Sequence, residues 1–344
     1  MHTLQNTLYV MTPHAYAHLE NATVRIDVDH EKRLQVPLHH LAGLVTFGNV
    51  MVSPALMHRL ADEGKSLVLL DEHGRFKARL EGPVSGNILL RQAQHKAAGD
   101  PAATLGHARA CVAGKLKNSR ITVQRGAREA ADAKETAQLT RTADNLAASL
   151  RAAAVVSTLD ELRGVEGEAA RGYFAALNRI VKPQMREHFA LDGRTRRPPL
   201  DRFNALISFL YAMLMNDCRS ALEAVGLDPQ LGFLHAVRPG RAALALDLQE
   251  EFRSVLADRL ALTLINRGQV IAGDFELREG GAVILSEKGR RAVVTAWQER
   301  KQEEITHPLL ESKMPIGLLP LVQARLMART IRGEMEGYLP FIAK

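Results

Sequence analysis

GPVSG at residues 82–86 separates two parts of the chain that have different hydrophobic periods. Before it, short apolar segments alternate with polar residues, as in the TVRID stretch at residues 23–27, and turn residues such as Gly48 divide them. A period of two is typical of half-buried β-strands. After Ile88 the apolar residues recur about every 3.6 residues, which is typical of amphipathic helices. The sequence therefore predicts an α+β protein, with a small N-terminal β-rich domain followed by a larger all-α domain.

The predicted boundaries follow this change of period. We expect a β domain at residues 1–81, a linker at 82–87 and an α-helical domain at 88–344. Within the β domain, Ser53 is the expected N-cap of a short helix. In the helical domain, Thr158 and Glu161 have the spacing of a capping box. A continuous helix is predicted over residues 244–266.

Positive charge is concentrated in the second part of the chain. The net charge is +7 and the isoelectric point is about 9.5. Residues 1–90 contain 8 Lys/Arg against 9 Asp/Glu, so the remainder contains 37 against 29. A basic domain of this kind suits a polyanionic partner.

Cysteine content and hydropathy favour a reducing, cytoplasmic location. Cys111 and Cys218 lie far apart in separate predicted helices, which indicates buried thiols instead of a disulfide framework or a zinc site. The N-terminus has no pattern typical of a signal peptide. No apolar stretch approaches the roughly 20 residues that span a membrane.

Three short segments place carboxylates or an imidazole beside small or apolar residues. They are GVEGEAAR at 164–171, GFLH at 232–235 and LDLQEEFR at 246–253. Glu166 shares a helix face with small and aromatic residues, and a carboxylate on such a face needs an ion partner or a metal. The glycines at 164, 167 and 172 indicate close helix approach or access for a ligand, since each costs a helix about 1 kcal/mol. The alternative is that Glu166 is simply solvated.

The other two segments each allow more than one interpretation. His235 is either a structural histidine or a metal ligand, and its spacing to Arg238 also occurs in tyrosine recombinases, although the next tyrosine is Tyr338. Asp247 and Glu250 are three residues apart, so a helix makes them neighbours. Together, Glu166, His235 and Glu250 form a donor set that Mg²⁺ or Mn²⁺ accepts. In a basic protein such a metal indicates phosphodiester chemistry, whereas a non-catalytic DNA-binding scaffold is the alternative of another class.

Taken together, these motifs resemble a known family. The chain is similar to the CRISPR-associated integrase that acquires new spacers, the metal-dependent subunit of the adaptation complex, and most of all to its subtype I-C branch. The resemblance extends from the first strand to YLPF at residues 338–341. It is carried by LRGVEGEAARGYF at 162–174, RPPLDRFNALISF at 197–209, GFLH at 232–235 and LALDLQEEFR at 244–253. Gln249 and Ser254 depart from the family pattern, and Ser254 stands where proline is usual, which could change how the helix continues.

The resemblance implies a function and a set of metal ligands. Family members join a DNA 3′-hydroxyl to a phosphodiester in the CRISPR repeat, and with water as nucleophile the same site nicks DNA. The pattern places Mg²⁺ or Mn²⁺ on Glu166, His235 and Glu250. Asp247 matches an auxiliary acidic position without a direct ligand role, so its loss is expected to be milder.

The resemblance also implies partners, and the sequence suggests where DNA binds. A homodimer, a small ferredoxin-like companion subunit and double-stranded or branched DNA are the expected partners. Dimerisation is expected through the β domain, since its net charge of −1 makes it a poor DNA surface. Part of the DNA path is predicted along a proline-bounded loop and its flank, and part directly after His235. The predicted DNA-binding residues are Arg194, Arg196, Arg197, Arg202, Arg238 and Arg241.

Overall fold

The computed structural model describes residues 6–72, 74, 76–80, 82, 88–130, 132–191 and 193–343. The chain divides into two compact units. One contains Met1–Ser85 with Leu285–Gln298, and the other contains Gly86–Ile284 with Glu299–Lys344. The predicted linker at 82–87 lies, apart from Gly82, outside the described residues. The sequence did not predict that residues 285–298 join the first unit, because about two hundred positions separate them from it in the chain.

Two four-stranded sheets form most of the first unit. One sheet has the order β1-β5-β7-β8 and is parallel except at the β7–β8 pair. The other has the order β4-β3-β2-β6 and is antiparallel except at the β2–β6 pair. The predicted β-rich N-terminal part is confirmed. The strands are β1 Asn6–Val10, β2 Tyr16–Glu20, β3 Thr23–Val28, β4 Glu31–Pro37, β5 Leu41–Phe47, β6 Met51–Val52, β7 Ser66–Leu70 and β8 Phe76–Leu80.

The alternating residues of these strands build the core of the first unit. Val24 and Ile26 on β3 are buried, whereas the residues between them are less so. Helix α1, Pro54–Asp62, packs into the same core with its buried residues Leu56 and Leu60. Ser53 caps this helix as predicted, since its side chain accepts the Leu56 N–H at 3.2 Å.

Helices dominate the second unit, which confirms the predicted fold class. It also contains two short hairpins, so it is not entirely helical: β9 Phe275–Leu277 with β10 Val283–Leu285, and β11 Glu304–Thr306 with β12 Lys313–Pro315. No helix of the described residues is long and apolar enough to cross a membrane. The remaining helices are α2 Ile88–Gly99, α3 Pro101–Glu129, α4 Ala133–Val155, α5 Leu159–Ile180, α6 Pro183–Phe189, α7 Arg202–Val225, α8 Ala243–Glu250, α9 Arg259–Asn266, α10 Glu287–Gln302 and α11 Leu319–Ile331; most of α10 belongs to the first unit.

Side-chain caps fix where the long helices begin. Thr158 accepts the backbone N–H of Glu161, whose carboxylate in turn accepts the N–H of Thr158, so the predicted capping box at the start of α5 is confirmed. Asp100 and Asp201 cap α3 and α7, since their carboxylates accept the backbone N–H groups of Ala102 and Asn204. Such caps satisfy backbone donors that the first helical turn leaves open.

The predicted continuous helix over 244–266 is wrong. Helix α8 ends at Glu250, a π-helical segment covers Arg253–Asp258, and α9 begins at Arg259. Within this stretch Glu250, Glu251 and Asp258 are buried. These buried acidic residues reach partners in different directions, and π-helical turns of this kind recur at functional sites.

Candidate metal centre

Three helices place one ammonium group between two carboxylates. Nζ of Lys115 on α3 contacts Oε1 of Glu166 on α5, and it lies 2.8 Å from Oε2 of Glu250 on α8. The side chain of Glu250 is only 2% exposed, whereas that of Glu166 is 24% exposed. The site therefore has a buried side at Glu250 and an open side at Glu166.

His235 completes the set of three predicted ligands. Its Nε2 lies 3.7 Å from Oε1 of Glu250, and its side chain is 20% exposed. Lys115 thus links Glu166 to Glu250, and His235 lies beside Glu250, although 69 and 15 residues separate the three predicted ligands along the sequence.

Asp247 holds the loop that carries His235. Its buried carboxylate accepts the backbone N–H groups of Phe233 at 2.6 Å, Leu234 at 3.0 Å and His235 at 2.9 Å. It also lies 2.6 Å from Nδ1 of the His235 ring. Because a carboxylate can only accept, Nδ1 carries the proton, and the neutral ring keeps its lone pair on Nε2, towards Glu250. The structure gives Asp247 a larger role than the sequence predicted.

Gly232 makes this arrangement possible because no side chain fits there. A Cβ at this position would lie 2.7 Å from Oδ2 of Asp247, 2.7 Å from the carbonyl carbon of Ala243 and 2.8 Å from the backbone nitrogen of Leu244. The glycine of the GFLH motif therefore lets the loop approach the start of α8. By contrast, a Cβ on Gly164, Gly167 or Gly172 would meet nothing within 4 Å, so these glycines do not mark close helix approach.

Arg163 ties the same loop to α5. Its Nε and Nη2 donate to the carbonyl of Leu234 at 3.0 and 2.7 Å, and its Nη1 donates to Asp160 at 3.0 Å. Arg163 precedes Glu166 by one helical turn, and Leu234 precedes His235. One guanidinium group thus links the helix of one predicted ligand to the loop of another.

Arg253, Lys115 and the ring of His235 surround the buried carboxylate of Glu250. Arg253 lies one turn further and places Nη1 2.6 Å from Oε1 of Glu250. Burial alone would raise the pKa of Glu250, but Arg253, Lys115 and His235 lower it to about 2. The guanidinium of Arg253 also lies 4.8 Å from the ring centre of Tyr211. Glu250 is therefore a carboxylate at neutral pH.

Asp258 is a second buried carboxylate, and it lies close enough to Arg253 for their charges to interact. Asp258 accepts the hydroxyl of Tyr211 at 2.7 Å and that of Tyr173 at 2.8 Å. Burial raises the pKa of Asp258 to about 6, although both hydroxyls and the nearby Arg253 oppose the rise. Tyr173 is on α5, two turns after Glu166, so this cluster joins the interior of α5 to the π-helical segment.

The donor set suits a hard divalent cation. Two carboxylates and one imidazole are ligands that Mg²⁺ and Mn²⁺ accept. Oε2 of Glu250 is buried, and the ammonium of Lys115 lies 2.8 Å from it. The described residues contain no group of three or more His, Cys, Asp or Glu already spaced to hold a metal. The ammonium of Lys115 lies where such a group would converge.

Glu251 points away from Glu250 and anchors the segment 338–343. Its carboxylate accepts the hydroxyl of Tyr338 at 2.5 Å, the amide of Gln323 at 3.1 Å and the backbone N–H of Phe341. Asn118 donates to the carbonyl groups of Glu251 and Phe341. Tyr338 is buried, and burial raises its pKa well above the usual value. A tyrosine recombinase that uses Tyr338 as nucleophile is thus not favoured.

The six predicted DNA-binding arginines fall into two groups. Arg194 turns inward, where it donates to Asn204 at 2.8 Å and Ser208 at 3.0 Å, and burial lowers its pKa. Arg202 donates to the carbonyl of His188. The other four lie close enough to interact: burial lowers the pKa of Arg241, and the charges of its three neighbours lower it further. These four residues, which we call the arginine cluster, are Arg196, Arg197, Arg238 and Arg241.

Sequence reasoning missed Lys115 and Arg163. A signal for Lys115 was present, because Lys115, Asn118 and Thr122 recur at helical spacing on a face of α3 that also carries the buried Cys111. Polar residues on an otherwise buried face need partners. The partners of Lys115 lie more than fifty residues away, so the sequence alone could not name them.

Comparison with known proteins identifies the family. Residues 8–299 match the family described as CRISPR associated protein Cas1. The chain belongs to the Cas1 family. A CRISPR-associated endonuclease Cas1 of Moorella thermoacetica is 54% identical over 342 residues, which cover 99% of each chain. A Cas1 endonuclease of Chlorobaculum tepidum is 45% identical over 337 residues, which cover 98% of each.

Solved structures share the Cas1 fold at low sequence identity. A casposase bound to its integration product aligns with a TM-score of 0.82 and 20% identity, over 99% of this chain and 95% of that one. A chain of a Cas6-RT-Cas1–Cas2 complex aligns with a TM-score of 0.83 and 23% identity, over 99% of this chain and 36% of that one. At these identities the likeness establishes the fold.

Proposed function

We propose that this Cas1 chain is a metal-dependent DNA integrase and endonuclease that inserts short foreign DNA fragments into a CRISPR array as new spacers. The observation that carries the proposal is the arrangement of Glu166, His235 and Glu250 around one cation position. The endonuclease names of the close relatives and the casposase integration complex support it. A non-catalytic scaffold would have no need of a buried, ionised Glu250 beside a histidine in a fixed tautomer.

Glu166, His235 and Glu250 would hold Mg²⁺ or Mn²⁺. When bound, such an ion supplies Lewis acidity at a phosphate and lowers the pKa of a coordinated hydroxyl group. The protein's own contribution is to hold the ligands. Asp247 fixes the ring of His235 so that Nε2 is the free nitrogen, and Arg253 orients Glu250 through Oε1. These contacts arrange the site before substrate binds.

The arginine cluster is the part of the surface that we propose for DNA. Arg196, Arg197 and Arg238 are exposed, and the cluster extends over the loop that follows His235. Arginines in this position would neutralise phosphates without reading base sequence. Arg202 stays a candidate at the flank of the proline-bounded loop. Arg194 is no longer included, because its guanidinium is held inside by Asn204 and Ser208.

We further propose a homodimer and a small ferredoxin-like companion subunit. A Cas1 fold present in a Cas1–Cas2 assembly supports the companion. The N-terminal β domain, residues 1–81, supports the dimer, since the edge strands β4 and β6 expose Leu34 by 43% and Met51 by 60%. Exposed edges of this kind are open to pairing with a second chain. Light scattering of the full chain and of Leu34→Glu and Met51→Glu variants tests this, and dimers in both variants would place the interface elsewhere.

Strand-transfer assays on branched DNA test the catalytic proposal. Glu166→Ala, His235→Ala and Glu250→Ala are each expected to abolish integration and nicking while electrophoretic shifts show retained DNA binding. Glu168→Ala is the matched control, because Glu168 is exposed on the same helix as Glu166. His95→Ala is the corresponding control for His235→Ala. Near-normal strand transfer in any one of the three variants removes that residue from the site.

A further inference from the structure

Lys115 contacts both acidic ligands of the proposed metal site. Its Nζ contacts Glu166 and lies 2.8 Å from Oε2 of Glu250. Arg253 contacts Glu250 at the other oxygen, Oε1, and His235 lies 3.7 Å from that same oxygen. Of these three side chains, Lys115 is the one that contacts both carboxylates. Without it, two negative groups would face each other across a partly buried gap, which is costly.

The backbone of Lys115 is held in place, whereas its side chain can move. Gly114 packs so closely that a Cβ there would lie 2.8 Å from Pro340 and 3.1 Å from Glu251. Asn118, one turn later, donates to the carbonyl of Glu251 at 2.7 Å. These contacts fix the start of the lysine stem. The stem itself has four methylene groups and rotatable bonds, so the ammonium can leave without disturbing α3.

We propose that Lys115 is a resident counter-ion that holds Glu166 and Glu250 together in the metal-free protein, and that a divalent cation must displace its ammonium to bind. The inference rests on the proposed metal site. The observation behind it is the position of Nζ, which contacts Glu166 and Glu250 at the same time.

This exchange has a measurable consequence for affinity. Suppose that the metal binds only protein in which the ammonium of Lys115 has moved away. Its apparent affinity is then its intrinsic affinity multiplied by the fraction of protein in that state. If the ammonium is in place more than about nine-tenths of the time, its removal strengthens metal binding about tenfold or more. The same removal weakens the metal-free fold, because Glu166 and Glu250 then repel each other.

The test uses the full-length protein, Mn²⁺ as probe and no DNA. Lys115→Met is compared with Lys117→Met, which removes the same charge from an exposed position on α3. Calorimetry and the electron paramagnetic resonance of free Mn²⁺ give the dissociation constant, and thermal unfolding without metal gives stability. Lys115→Met is expected to bind Mn²⁺ about tenfold more tightly than Lys117→Met, and to melt at a lower temperature without metal. If Lys115→Met does not fold, Lys115→Gln, which keeps a hydrogen-bond donor, replaces it.

Anomalous scattering from wild-type crystals soaked in Mn²⁺ provides a measurement that needs no variant. Manganese between Glu166 and Glu250, with Nζ of Lys115 moved away, supports the exchange. Manganese at that position with Nζ still on both carboxylates, or equal Mn²⁺ affinity in the Lys115 and Lys117 variants, overturns it while leaving the metal site intact. No manganese at these residues in any variant refutes the metal site itself, and the exchange with it.

Discussion

The carboxylate of Asp247 lies 2.6 Å from Nδ1 of His235 and accepts the backbone N–H of the same residue at 2.9 Å. One side chain therefore sets both the position and the tautomer of the proposed histidine ligand. Asp247 performs this role without facing the cation position itself, which explains why the spacing of the motif did not reveal it.

We expect Asp247→Asn to reduce strand transfer almost as strongly as His235→Ala does. In the wild type, the donors share the two carboxylate oxygens of Asp247. An asparagine offers only one acceptor oxygen, so at least one buried donor is left unpaired, which costs about 1–3 kcal/mol. Chemical unfolding and strand-transfer rates are the measurements, with Asp144→Asn on the exposed side of α4 as control. Full activity in Asp247→Asn would leave only the milder role predicted from the sequence.

Replacement of Arg163 by methionine is expected to slow the chemical step more than it weakens DNA binding. The carbonyl of Leu234 loses two charge-assisted hydrogen bonds, so the loop that carries His235 becomes less well held, at a cost of about 1–3 kcal/mol. Single-turnover rates and DNA dissociation constants separate the two effects. Arg171→Met, exposed on the same helix, is the control, and Arg163→Lys should restore activity only in part. Equal losses in Arg163→Met and Arg171→Met would argue against a role for the Leu234 contact.

Alanine substitutions at two glycines are expected to have opposite effects on stability. Gly232→Ala would force backbone atoms of α8 apart and should lower the free energy of unfolding by about 1–3 kcal/mol. Gly164→Ala places its methyl group in open space on α5 and should raise the free energy of unfolding by up to about 1 kcal/mol. Urea unfolding of both variants measures the difference. A neutral Gly232→Ala would mean that the loop can retreat from α8 without loss.

The stability contributed by Asp258 is expected to fall as pH rises. Its folded-state pKa is about 6 against a usual 3.8, so between these values the folded protein keeps a proton that the unfolded chain has released. The free energy of unfolding therefore decreases from pH 4 to pH 6 and is then constant, as far as this group is concerned. Asp258→Asn cannot ionise. Its free energy of unfolding, relative to that of wild type, should therefore rise by up to about 3 kcal/mol between pH 4 and pH 6. Urea unfolding at several pH values, with Asp144→Asn for comparison, measures this gain, and parallel curves for Asp258→Asn and wild type would contradict it.

Reversing the charges of Arg196 and Arg197 to glutamate should weaken binding to every DNA sequence. It should also flatten the salt dependence of binding, because fewer counterions are released per complex. Arg141→Glu with Arg151→Glu on α4 makes the same change of charge at exposed positions and serves as control. An unchanged affinity and salt slope would show that the arginine cluster lies off the DNA path. By contrast, Arg194→Met should change the stability of the fold and not the affinity for DNA.

Local patterns in the sequence predicted features whose causes are themselves local. The alternation around Val24 and Ile26 indicated a strand, and Thr158 with Glu161 indicated the start of α5. The break after Glu250 was not predictable in this way, because Leu248, Phe252 and Leu256 recur with an apolar spacing that fits an unbroken helix. The contacts of Glu250, Glu251 and Asp258 with distant residues are likewise absent from the local pattern.

The contribution of Lys115 was hidden for a similar reason. Its partners come from α5 and α8, and only the folded chain brings them together. The association of residues 285–298 with the first unit is likewise a contact between distant parts of the chain. In the first case the sequence does not show which distant residues pair with a buried charge. In the second it does not show which distant segment joins the first unit.

The alternating directions of Asp247, Glu250, Glu251 and Arg253 restrict how this segment can evolve. Asp247 faces the loop that carries His235, and Glu250 faces the cation position. Glu251 faces the segment 338–343, and Arg253 faces the ring of Tyr211. Inserting or deleting one residue would rotate every following side chain by about 100° about the helix axis. All later partners would then be lost at once. The number of residues between Asp247 and Arg253 is therefore as restricted as the identity of these four side chains.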